Sequence, residues 1–165
     1  MVTIRNPDLA REWAASAWSR LQLSIPVDID KVRKHLGLYI RRKTAQNDFS
    51  GCVMATPKRH YIIVNSMHPL EKRRFTVAHE IAEYLLMCQC ERQGKPFPEG
   101  QEREHFCDRF AVNLLMPEQL VRAQAQEVHH GRGNDKTAVL ANRFGVSEQA
   151  MRIRLKELGL LFWGR

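Results

Sequence analysis

Three residues in the stretch RRFTVAHEIAEYLLM, residues 73 to 87, have the types and spacing of a reaction centre: His79, Glu80 and Glu83. In the helical motif HExxH, ligands at i and i+4 lie on one face and hold a metal ion, and the glutamate after the first histidine is the general base. Here His79 and Glu83 have the ligand spacing and Glu80 the base position, with a glutamate where the motif has its second histidine. His and Glu are also ordinary residues of a solvated helix face, so these three take their meaning from their surroundings.

At about 100° per residue, Phe75, Ala78, Ile81, Ala82, Leu85 and Leu86 form one apolar stripe. His79 and Glu83 run along its edge, where the core can hold a ligand rigid and substrate can still approach. A second segment, EREHFCDRFAVNLLMP, residues 102 to 117, puts Cys107, Phe110, Ala111, Leu114 and Leu115 on one helical face with Glu104 and Asp108 on its flank. An unpaired carboxylate beside a core is costly. A metal ion would account for Glu104, and a ligating histidine that donates its second ring N–H would account for Asp108. The plainer reading makes both acids surface ion pairs with Arg103 and Arg109.

Taken together, RRFTVAHE, then a glutamate and an aspartate four residues apart, then FAVNLLMP, resembles the ImmA/IrrE metallopeptidases, whose site has the plan HExxH plus a downstream ExxxD. The resemblance runs through most of the chain, from PVDIDKVRKHLGLY through SGCVMATPKRHYIIVN to GVSEQAMRIRLKELGLL. It implies a compact α+β metallo-endopeptidase that cleaves a helix-turn-helix repressor of the XRE type and so switches on a mobile element or a stress regulon. Carried onto this chain, it makes His79 the first metal ligand, Glu80 the general base, Glu104 the third ligand and Asp108 the group that orients the ligating histidine. Glu83, in place of the usual histidine, would be the second ligand, and Cys107 replaces the usual alanine.

Carboxylate oxygen binds zinc at roughly 2.0 to 2.2 Å, so Glu83 can still serve. A His, Glu, Glu set nevertheless leaves less net positive charge to acidify water than two histidines and one glutamate, which predicts slower chemistry near neutral pH. Zinc is the first expectation for the one divalent ion, and the extra oxygen donor also suits manganese or iron(II). Three outcomes follow: a working peptidase, a weakened one, or an impaired member that acts as a regulatory binding partner of such a repressor.

At 165 residues with 44% hydrophobic residues, the chain has material for one domain with a real core. We expect a single unit over 1–165, with a protease core over 1–117 and a helical segment over 118–165. No run of about 18 apolar residues is present, and MVTIRNPDLAREW lacks the apolar centre of a signal peptide, so a cytoplasmic address is expected. In that compartment Cys52, Cys88, Cys90 and Cys107 would be reduced thiols. The CxC of Cys88 and Cys90 with the HxC of His105 and Cys107 could instead form a structural zinc site, although Cys107 falls on the apolar face. The net charge of +8 raises the question of nucleic acid, but the basic residues are scattered, and a positive field also attracts an acidic protein.

The elements that position these residues can be read coarsely. Asn6 could cap a first helix from Pro7 to Leu23, and residues 28 to 36 form a second that stops before Gly37. LYIRRK alternates like a strand, and GCVMA and HYIIVN read as two further strands joined by a turn at Thr56-Pro57-Lys58. A small twisted sheet therefore precedes the metal helix, and an exposed edge could hold an extended substrate. CQCERQGKPFPEGQ reads as a loop over the site. Beyond Pro117 a helix is followed by a break at HHGRGND, where His129 and His130 should face solvent. Two more helices flank Phe144-Gly145-Val146-Ser147, with Ser147 as the cap. This helix-turn-helix spacing admits DNA binding, while the family resemblance implies packing against the core. Tyr61, His60 and Arg154 are the candidates for stabilising an oxyanion.

Overall fold

The computed structural model describes residues 8–128 and 135–161; Asn6 and Pro7 as well as His129 and His130 lie outside them. Among the described residues the chain is α+β, with seven helices and one three-stranded mixed sheet. Two helices, α1 (Leu9–Leu21) and α2 (Ile29–His35), precede β1 (Leu38–Lys43), β2 (Gly51–Ala55) and β3 (His60–Asn65). The long α3 (Leu70–Gln93) and α4 (Gln101–Leu115) follow, then α5 (Glu118–Glu127), α6 (Lys136–Phe144) and α7 (Glu148–Glu157).

Local chemistry sets the element boundaries. Asp28 caps α2 by accepting from the Lys31 backbone N–H at 3.1 Å, and Ser147 caps α7 by accepting from that of Ala150 at 3.2 Å. Gln22 adopts a left-handed φ of 47°, which ends α1 short of the expected Leu23. The three strands occupy the expected residues. β1 runs parallel to β3 and β2 antiparallel to it, in the order β1-β3-β2, so β1 and β2 are both edges.

One expectation fails at the C-terminal end of α3. Helix continues through CQCERQ to Gln93 and stops only at Gly94, which takes a left-handed φ of 59°. Gln, Glu and Arg are good helix formers, and the first breaker in this stretch is Gly94 itself. The loop before α4 therefore shrinks to residues 94–100, and Cys88 and Cys90 sit on α3.

The core lies where α3 and α4 pack on each other, on α1 and on the inner face of the sheet. Ile81, Leu86, Phe110, Leu114 and Ile62 are fully buried there. Trp13 meets Phe106 edge-on at 5.2 Å, and Trp18 donates its indole N–H to the Leu114 carbonyl at 2.9 Å. Leu140, Phe144, Met151 and Leu155 from α6 and α7 belong to the same buried cluster.

Candidate metal centre

α3 and α4 carry the polar residues of the site along their shared seam. Ala78, Ile81 and Ala82 bury one face of α3, and on α4 Phe106, Cys107, Phe110 and Ala111 do the same. That leaves His79 and Glu83 half-buried at the seam's edge, with Glu104 and Asp108 exposed on the opposite helix. Of the acids, Glu80 is buried, with only 5% of its surface exposed.

His79 is held from both sides. Its Nδ1 lies 2.9 Å from Asp108 Oδ1, and its Nε2 lies 3.4 Å from Glu104 Oε2. An ionised carboxylate only accepts, so Nδ1 carries the hydrogen and donates it to Asp108; in the neutral ring Nε2 then presents a lone pair to Glu104. Burial disfavours the imidazolium. The hydrogen bond to Asp108 and the charges of Glu80, Asp108 and Glu104 outweigh it and raise the pKa of His79 above its ordinary value.

One ligand atom from each of His79, Glu80 and Glu83 lies within 4.8 Å of the other two. Glu104 stands outside this group. Its Oε1 accepts from Arg103 Nη2 at 2.7 Å and from Arg103 Nε at 3.2 Å, leaving Oε2 toward His79. Arg103 Nη1 also lies 3.8 Å from Glu83 Oε1. The ion pair of Arg103 with Glu104 is thus present, and it coexists with the approach of Glu104 to His79.

Glu80 reaches toward the sheet. It accepts a hydrogen bond from the Val53 backbone of the edge strand β2, while its Oε2 is buried with no partner. Burial first, then the negative charges of Glu83 and Glu104, push its pKa up to about 7, against the opposing effects of His79 and Val53. β2 comes this close because residue 51 is glycine. A Cβ there would meet Thr76 Cγ2 at 2.5 Å and the Ile63 carbonyl oxygen at 2.7 Å, with Glu80 Oε1 at 3.6 Å.

These residues fit a divalent ion. Two ligands bound about 2.1 Å from a tetrahedral ion stand roughly 3.4 Å apart. The separation of His79 Nε2 from Glu104 Oε2 is 3.4 Å; a protonated ring pairs with Glu104 directly, and with a neutral ring both atoms are acceptors that a cation between them would satisfy. Glu80, which has a ligand atom within 4.8 Å of one on His79 and one on Glu83, adds a buried Oε2 with no partner.

The remaining candidates separate. Among the described residues, Cys88, Cys90, His105 and Cys107 form no ligand group. Cys90 and Cys107 face the core and His105 is exposed. Burial and the surrounding carboxylates push the thiols of Cys107 and Cys52 up, holding both in the protonated form that binds metal poorly. Arg154 is 5% exposed and donates to the Met116 carbonyl and to Asn113 Oδ1, so it is committed to packing α7 on α4. Tyr61 stacks beside Tyr39 and under the Arg41 guanidinium, and His60 lies against the ring of Tyr84. Sequence reasoning missed the contact of Arg103 with Glu83, although the adjacency of Arg103 to Glu104 was a signal, and it missed the role of the Val53 backbone, which no side-chain pattern reveals.

Residues 33–156 match the profile of the peptidase M78 family, the IrrE N-terminal-like domain, and the chain belongs to that family. No curated protein matches it. Among solved structures, a Mycobacterium tuberculosis transcriptional regulator superposes on 94% of this chain with a TM-score of 0.54 at 17% identity. The match takes in 47% of that protein, so this chain spans about half its length, and the likeness is one of fold. No helix of the described residues is long and apolar enough to cross a membrane.

Proposed function

We propose that the chain is a metal-dependent endopeptidase that cleaves an XRE-type, helix-turn-helix repressor, with His79, Glu83 and Glu104 as ligands, Glu80 as general base and Asp108 as the orienting group. The observation that carries this reading is the pair of contacts on one imidazole: Asp108 at Nδ1, and Glu104 facing Nε2 across 3.4 Å. Family membership supports peptidase chemistry, and the repressor is the substrate the family resemblance implies.

A divalent ion at this point, zinc first and manganese or iron(II) next, would polarise the scissile carbonyl and lower the pKa of water. Asp108 fixes the tautomer and direction of the His79 ring. Glu80 takes the proton from the attacking water on a carboxylate oxygen and returns it to the departing amine nitrogen. In the metal-free chain burial and the neighbouring carboxylates raise its pKa to about 7, and a bound cation would lower it toward the ionised form that accepts the proton. The edge strand β2, bound to Glu80 through Val53, flanks this point, where an extended peptide would lie.

The test pairs elemental analysis of protein purified without chelator with cleavage of a purified XRE-type repressor. Glu80→Gln should keep the fold and the metal and lose cleavage by about 100-fold or more, since an amide cannot accept the proton. Cleavage that survives this change refutes the mechanism. A metal-bearing wild type that leaves every such repressor intact would favour the regulatory partner instead.

A further inference from the structure

We propose that Arg103 is the charge counterpart of Glu83, a fixed cation that offsets the negative charge introduced where a histidine ligand is usual. The proposal rests on the ligand reading above. With His79, Glu83 and Glu104 as ligands, the set carries two negative charges, and Arg103 brings the local sum back to the single negative charge of a two-histidine, one-glutamate set. Each acid turns one oxygen to the guanidinium: Glu104 Oε1 at 2.7 Å and Glu83 Oε1 at 3.8 Å. The other oxygen of Glu104 stays toward His79.

The position is built for this task. Arg103 opens α4 opposite Glu83 on α3, so its side chain spans the seam between the two helices. Its guanidinium lies 5.5 Å from the centre of the Phe97 ring, which belongs to the short segment joining those helices. A planar fork fixed against an aromatic face can serve two carboxylates at once, which a lysine does less well. Among the described ion pairs Arg103 is also the only arginine or lysine paired with Glu83 or Glu104, His79 being the other partner of Glu104.

This arrangement has two separable consequences. In metal-free protein, Arg103 relieves repulsion among Glu80, Glu83 and Glu104, so losing it should destabilise the chain more with Glu83 present than with histidine there. In metal binding, Arg103 opposes an incoming cation and competes for both acids, so losing it should tighten the site.

The experiment uses the full chain as wild type, Arg103→Met, Arg103→Lys, Glu83→His and the double variant Arg103→Met with Glu83→His. Urea unfolding after chelation reads the first consequence, and zinc titration against a chromophoric chelator reads the second. Arg103→Met should lower the urea midpoint of the metal-free protein, by less than half as much in the Glu83→His background. It should bind zinc about tenfold more tightly, while Arg103→Lys stays within about twofold of wild type. Equal midpoint losses in both backgrounds, or weaker zinc binding by Arg103→Met, would overturn the proposal. If no variant binds zinc while the two substitutions remain coupled in unfolding, the pairing of Arg103 with Glu83 stands and the metal reading falls. If neither signal appears, both fall.

Discussion

The C-terminal helix pair and the α3–α4 seam each bury a charged side chain to the same degree, for Arg154 and Glu80 are both 5% exposed. Their surroundings differ. Arg154 donates to the Met116 carbonyl, to Asn113 Oδ1 and to Glu157 Oε2, so each of its three nitrogens has a partner within the fold. Glu80 accepts from Val53 and leaves Oε2 without a partner, and its neighbours Glu83 and Glu104 raise the cost of its charge. Equal burial therefore covers two situations: a satisfied charge joins elements together, and an unsatisfied one keeps an acceptor that a proton or a cation would satisfy.

Three measurements break or sharpen this contrast. The largest effect should come from Arg154→Met, which strands Asn113 Oδ1 and the Met116 carbonyl in the interior and should cost about 4 kcal/mol in urea unfolding. A loss under about 1 kcal/mol would show that Arg154 is not a joint. Next comes the pH dependence of chelated protein. Because the folded-state pKa of Glu80 is raised to about 7 from 4.5, the folded state binds the proton more tightly, and stability declines as pH rises between those values. Relative to Glu80→Gln, the wild type should lose about 3 kcal/mol across that window. His79, raised as well, contributes stability that is lost as pH climbs past its folded pKa, a decline of the same sign that Glu80→Gln partly retains. Parallel pH curves for the two proteins would remove Glu80 from the unsatisfied class. The smallest effect is expected from Asp108→Asn, which should weaken zinc binding about 10- to 100-fold through a misdirected His79 ring. Unchanged affinity would mean that the hydrogen bond at Nδ1 does not orient a ligand.

Legibility in the sequence followed the range of the signal. β1, β2 and β3 were readable to the residue, because a short alternating or apolar run and the Thr56-Pro57-Lys58 turn are local signals. The meeting of His79 with Asp108 could be anticipated, since both lie on the flanks of apolar stripes that must pack together. The end of α3 was misread because the Gly and Pro of residues 94–100 colour a stretch whose first six residues, Cys88 to Gln93, contain no breaker. Arg154 looked free for catalysis because α7's own periodicity does not say that the carbonyl end of α4 lies beneath it. Arg103 was legible as a partner of Glu104 and not of Glu83, since the second contact depends on how far α4 is offset along α3.

Gly51 turns the join between sheet and helix into a matter of thickness. At this residue β2 and α3 are separated by bare main chain, so a single methyl group would act as a shim, lifting the strand from Thr76 or pushing Thr76 aside. The Val53 contact to Glu80, two residues along the same strand, shares that spacing. One carbon atom at this position thus sets how closely β2 covers the Glu80 carboxylate.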